Sequence, residues 1–407
     1  LGLVGSEMCI RDRVCGGAGV TVLAKLGVVA DLISSNVDKK TREGELPVRL
    51  INYTDVYYGS VLTPDLEYMP ATATSGQIER VGVKDGDVIF TKDSEASDDI
   101  GIPALVREPG EDMVCGYHLT IARPRRSLVE SNYLYWYLCS AVVKSYWEQT
   151  ANGVTRFSIG YSATSALPIA LPPIERQRAI ADYLERETAE IDAMSADLDE
   201  MEKLLQERRG TYISDRVRAS LSPCKRVSLQ SVASIHAGKS IAAAQVTNDG
   251  EYPVYGGNGI RGYTSEFNEL QDRILIGRQG ALCGNVHLAR GPFFASEHAL
   301  VVNPHIDIDI EWLAYVLHDQ DLGQLSMSAA QPGITASGVG MQKIDMPSID
   351  EQRRVVDEID RETAEIDAML ADITELRDLL AERRAAVIAA AVTGQIDIPV
   401  AEETTHA

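Results

Sequence analysis

Two stretches of the chain carry apolar residues at a spacing of seven. In the first, Leu184, Ile191, Leu198, Leu205 and Tyr212 recur every seventh position, and Ile180, Met194 and Met201 supply a neighbouring row interrupted by Glu187 and Arg208. In the second, Ile359, Ile366, Ile373, Leu380 and Val387 recur in the same way, with Val355, Met369 and Leu376 beside them. Two rows sustained over about four heptads predict a coiled-coil seam rather than a general amphipathic face. Pro172, Pro173 and Pro347 stand just before the two stretches, where proline is tolerated at a helix start. From Ile180 to Tyr212 such a helix rises about 48 Å at ~1.5 Å per residue.

The two stretches are copies of one another. Residues 174–209 and 349–384 align without gaps at an offset of 175, and RETAEIDAM is identical at 186–194 and 361–369. The unit is a globular segment followed by a long helix, and it occurs twice. The predicted fold class is α+β, with a pseudo-two-fold internal repeat whose helices pair as an antiparallel coiled coil. Pairing of each helix with another protein is the alternative. The expected boundaries are 1–26 as an uninterpretable leading segment, 27–166 as the first domain and 167–217 as the central helix. The second domain then covers 218–345, the C-terminal helix 346–398, and a tail 399–407. Residues 1–15 show no cap, period or apolar face, and are expected to lie outside the fold.

The globular segments read as mixed α/β. Residues 48–56 and 87–92 have strand character in the first, and 132–149 have the spacing of a helix. In the second, 273–279 and 298–303 read as strands and 311–321 as a helix.

Composition limits the chemistry. A hydrophobic share of 45% and a charged share of 24% are those of a globular protein, and no apolar run reaches the ~18 residues of a membrane helix. Six cysteines without a CxxC pair, and histidines without metal spacing, suit a reducing cytoplasm and predict no metal site. A formal net charge of −22 opposes a nucleic-acid partner. The acid is densest in the helical stretches, however, and the globular segments are only mildly acidic.

Several motifs remain open. Residues 233–240, ASIHAGKS, match a loose nucleotide-binding loop with Lys239 and Ser240 in the phosphate and magnesium places. Such a loop needs a strand before it and a helix N-terminus after it, and a plain leading loop of the second domain is the competing reading. No glycine-rich cofactor loop with an Asn/Asp-Pro-Pro-aromatic tetrapeptide, and no nuclease-like carboxylate cluster, is legible. YGGNGIRGY (255–263) is either a tight hairpin or a loop pressed against DNA, with Asn258 and Arg261 reaching base edges. Lys92 and Ser94 follow a strand end, as do Arg278 and Gln279, whose donors suit guanine and adenine edges. Arg156 either contacts DNA or closes the domain onto its helix. His118 and His298 read as structural histidines, and Gln331 as part of a turn.

The order domain, long helix, domain, long helix resembles the specificity subunits of type I restriction–modification systems. The similar stretches are 87–106, 116–124 and 167–184 in the first half. In the second they are 251–263, 274–287, 293–302, 331–335 and 391–398. The resemblance implies two target-recognition domains reading the halves of a split site in double-stranded DNA. It also implies two modification (methyltransferase) subunits docked on the helices, together with restriction subunits. S-adenosylmethionine, ATP and magnesium would then belong to those partners, with no cofactor and no catalysis in this chain. Phosphate contacts made by the partners would let an acidic chain serve DNA recognition. A coiled-coil scaffold for proteins, or a nucleotide-binding enzyme using 233–240, are the alternatives.

Overall fold

The computed structural model describes residues 21–221, 225–326 and 332–399. Its contacts divide the chain into two units, one formed by residues up to Asp197 together with Leu376 onwards, the other by Leu198–Glu375. Each unit therefore holds one globular domain, one end of each long helix, and its own core.

In the first unit a five-stranded sheet has the order 30–34, 119–124, 88–91, 103–106, 61–62. Val88–Thr91 lies at its centre, with all four side chains buried. A second sheet places Leu46–Ile51 between Met69–Ala73, antiparallel, and Met113–Cys115, parallel. The second unit repeats the plan. Its four-stranded sheet runs 233–237, 299–304, 273–277, 286–289, and Tyr252–Gly256 pairs antiparallel with Gly259–Thr264 and parallel with Phe294–Ala295. A two-stranded ribbon closes each domain before its helix: Val22–Lys25 with Pro168–Leu171, and Lys225–Ser228 with Lys343–Met346. The first of these strands falls inside the stretch 1–26 that the sequence left uninterpreted.

Local sequence explains two departures from expectation. The strand expected over 48–56 ends at Ile51, because Asn52 and Asp55 form a capping box that starts the helix Tyr53–Tyr58. The helix expected over 132–149 is two helices, Ser131–Leu138 and Ala141–Thr150, broken where the Ser140 hydroxyl donates to the Tyr137 carbonyl at 2.7 Å.

The long helices span Ile174–Ser220 and Ile349–Thr393. Ion pairs show that they run antiparallel within each unit. In the first, Arg176 meets Asp397 (3.3 Å) and Arg383 meets Glu187 (3.5 Å). In the second, Arg209 meets Asp367 (2.7 Å), and Arg216 meets Glu358. The repeat offset maps Arg209 and Asp367 onto Arg384 and Asp192, which pair in the first unit.

The seam differs from the expected one in its second row. Leu184, Ile191, Ile359, Ile366 and Ile373 are buried as predicted, and Leu198, Leu205 and Leu380 are half-buried. Ile180 and Val355 are also buried, but they seat the helices on their domain cores. Met194, Met201, Met369 and Leu376 are exposed by 39–53%. The neighbouring row is instead Thr188, Ser195, Glu202 and Arg209 on one helix, and Thr363, Leu370, Arg377 and Arg384 on the other, all buried or half-buried. Short hydroxyls on this face are satisfied within their own helix, as Thr188 is by the Leu184 carbonyl (2.7 Å). Arginines at the same level reach across to carboxylates. An apolar row is thereby left on the outside of each unit: Met194, Leu376 and Leu379 in the first, and Met201, Leu204 and Met369 in the second.

Candidate nucleic-acid interface

The site in the first unit begins where the central strand Val88–Thr91 ends. The Lys92 N–H donates to the His118 carbonyl (3.0 Å), and the Ile159 N–H donates to the Lys92 carbonyl (2.8 Å). Asp93 and Ser94 then pair with Phe157–Ser158. Both peptide groups of Lys92 are thus fixed by the fold, so the side chains that follow leave a rigid base.

Above this base lies a charged cluster. His118 Nδ1 is 2.8 Å from the Asp93 carboxylate. The Arg156 guanidinium also donates to that carboxylate, at 2.6 Å. The pair raises the Arg156 pKa further above its already high ordinary value, chiefly through this hydrogen bond. Arg156 keeps 57% of its side chain exposed, against 14% for Asp93, so a fixed carboxylate presents a guanidinium to solvent. Arg156 therefore does not close the domain onto its helix. The Tyr117 ring packs on His118 with centroids 3.7 Å apart. Ser94 is buried, and its hydroxyl oxygen accepts from the Ala96 N–H (3.4 Å), so it lies beneath the loop and not on its surface.

The second unit builds the same corner from different residues. The Arg278 N–H donates to the His298 carbonyl (2.9 Å), and the Ile334 N–H donates to the Arg278 carbonyl (3.0 Å). Gln279 bridges Gly333 where Asp93 pairs with Ser158. Lys92 and Arg278 therefore occupy equivalent places, as do His118 and His298.

The hairpin of Tyr252–Gly256 and Gly259–Thr264 closes over this corner. A Cβ on Gly277 would lie 2.1 Å from the Gly257 carbonyl oxygen, and one on Gly257 would lie 3.3 Å from the carbonyls of Gln279 and His298. The glycines of YGGNG thus serve a tight turn and a close approach to the strand end. At its tip Asn258 is exposed and accepts from Asn285 (2.7 Å). The structure thus brings Asn258, Arg278 and Gln279 to one corner. Arg261 is exposed further along the hairpin, its alkyl chain over Gly256.

The nucleotide-loop reading of 233–240 fails on geometry. Ala233–Ala237 is a strand, but the next helical element is the short 3-10 turn Ala243–Gln245. The amides that would cradle a phosphate are already used, Gly238 donating to Ala299 (3.0 Å) and Lys239 to Ala295 (2.9 Å). Gln331 lies outside the described residues. Among the described residues no group of three or more His, Cys, Asp or Glu is arranged to hold a metal, and no helix is long and apolar enough to cross a membrane.

Sequence reasoning missed Lys39 and Lys40. Together with Lys92 they line an open cavity of about 620 Å³, whose other walls are Ser35, Asn36, Asp38 and Tyr117. The dipeptide was visible in NVDKKTR, but its proximity to Lys92, some fifty residues on, was not.

Two domains of similar topology, each with a fixed cationic corner and each seated on a pair of long helices, define a duplicated architecture. Residues 222–376 match the type I restriction modification DNA specificity domain, and the chain resembles type I restriction–modification specificity subunits. A type I restriction enzyme EcoprrI specificity subunit from Escherichia coli is 38% identical over 156 residues, which is 37% of this chain and 38% of that protein. The chain's match thus spans about two-fifths of that relative's length. A chain from a structural study of complex assembly and conformational transition in a type I R-M system superimposes with a TM-score of 0.69 at 19% identity. It covers 93% of this chain and 98% of that one, a likeness of fold.

Proposed function

We propose that this protein is the DNA-specificity subunit of a type I restriction–modification complex in the cytoplasm, non-catalytic itself, and that each unit reads one half of a bipartite duplex site. The observation that carries this reading is the duplicated corner: one backbone scaffold, clamped by matching hydrogen bonds, presents Asp93 and Arg156 in one unit and Arg278, Gln279 and Asn258 in the other. A fixed frame with different donors and acceptors is what two unlike half-sites require. Adenine methylation would be carried out by two modification subunits holding S-adenosylmethionine, and cleavage by restriction subunits using ATP and magnesium. The outward Met and Leu rows on the helices, repeated in both units, are suited to receive the modification subunits. The test is methylome sequencing of cells expressing this chain with its cognate modification subunit. A single split motif, methylated only when the chain is present, is expected. Methylation that is absent, or independent of the chain, would refute the reading.

A further inference from the structure

An acidic protein has little reason to gather unpaired lysines. Yet Lys39, Lys40 and Lys92 face one cavity of about 620 Å³ in the first unit, and among the described residues none of the three is in an ion pair. Asp38, the one carboxylate on the wall, is already occupied by the Arg42 guanidinium (3.3 Å) and the Lys40 N–H (3.1 Å). Three like charges at one opening repel each other unless an anion joins them.

The surrounding backbone is rigid. Lys92 N–H is fixed to His118, and the Tyr117 N–H donates to the Val37 carbonyl at 3.0 Å, so the loops bearing all three lysines are tied to one turn. Tyr117, 38% exposed, stands at the rim. The second unit keeps the backbone placement but not the lysines, with Ile241 and Ala242 standing where Lys39 and Lys40 stand in the first. There Lys239 forms the parallel bridge to Ser296 that Val37 forms to Gly116, and Arg278 takes the place of Lys92. Lysines thus gather at this corner of the first unit although the overall charge is −22. Three lysines on one cavity, beside the Asp93–His118–Arg156 cluster, point to an extended anionic ligand that reaches both.

We propose that Lys39, Lys40 and Lys92 form a seat for the sugar–phosphate backbone of duplex DNA in the first unit. This inference rests on the reading of the chain as a DNA-specificity subunit. The seat fixes the register of the duplex, so that the adjoining Asp93–His118–Arg156 cluster meets base edges.

The test compares the wild-type complex with a triple variant, Lys39→Gln, Lys40→Gln and Lys92→Gln, in duplex binding measured across a salt series. Each lost phosphate contact lowers the slope of log affinity against log salt by about 0.9, so a fall of up to about 2.7 is expected. The corresponding triple arginine variant should keep the wild-type slope, and the methylated sequence should be the same in all three proteins. Wild-type and glutamine complexes with the same slope and affinity would overturn the seat. So would a changed half-site at an unchanged slope, which would make the lysines base readers. Failure of the wild-type complex to bind any duplex would instead remove the specificity-subunit reading itself, and the seat with it.

Discussion

Gln177 and Gln352 show how a single side chain ties helix to domain in each unit. They stand at equivalent positions of the repeat and are 1% and 2% exposed. Gln177 accepts from the Glu130 N–H (2.9 Å) and donates to the carbonyls of Pro172 (2.9 Å) and Leu128 (3.2 Å). Gln352 accepts from the Asp309 N–H (2.8 Å) and donates to the Pro347 carbonyl (3.0 Å). Leucine at either position would fill the volume but strand a backbone N–H and one or more carbonyls away from water. Each stranded group costs about 1–3 kcal/mol. Gln177→Leu and Gln352→Leu are therefore each expected to lose at least about 2 kcal/mol in urea unfolding. Arg209→Ala, which removes an exposed ion pair, should lose less than about 1 kcal/mol. Glutamine variants as stable as wild type would show that these amides do not hold helix to domain. Both glutamines are plain in the sequence as IERQR and IDEQR, but their burial is not. The same gap hid the lysine cavity, since convergence of Lys39 and Lys40 with Lys92 depends on how strands pair across the sheet.

The helices were the most legible elements because a seven-residue period and an internal copy are properties of the chain alone. What the period did not reveal is which adjoining row turns inward. Hydrophobicity favoured the methionine row, but the row that turns inward is that of Thr188 and Thr363, each 3% exposed. A short side chain there can bond its hydroxyl to its own helix, as Thr188 does. The consequence is testable at the outer row. Met201→Lys with Leu204→Lys alters two side chains that are 53% and 56% exposed, so the melting temperature should stay within about 2 °C of wild type. If this row receives a modification subunit, the double variant should fail to co-purify with it, since two charges would enter an apolar contact. Leu184→Ala, at a fully buried position, should behave in the opposite sense. It should cost about 2–5 kcal/mol of stability. Full retention of the partner by the lysine variant would move the docking surface elsewhere. The domains were less legible than the helices. Short strands such as Val61–Leu62 and Asp93–Ser94 carry too few residues for a period, and the capping box at Asn52 overrode an apolar run that read as strand.

At the scale of the whole molecule the repeat predicts that recognition is modular. Each unit has its own sheet, core and cationic corner, and the cores draw on corresponding helix residues: Ile180, Leu184 and Ile388 in one, Val355, Ile359 and Ile213 in the other. Replacing one domain should therefore leave the other's contacts intact, provided the cuts spare shared elements. A replacement of 218–345 would sever the second ribbon, where Lys225 pairs with Met346, and would cut the first long helix, which continues to Ser220. Cuts after Ser220 and after Pro347 keep the first helix complete, carry the ribbon whole, and stop before the second helix begins at Ile349. An exchange of 221–347 for the matching domain of another specificity subunit should change one half of the methylated sequence and leave the other half as it was. Melting in one transition near the wild-type temperature would show that the junctions are sound. A well-folded chimera that altered both half-sites would show that the units do not read independently, and would remove the ground for assigning one half-site to each.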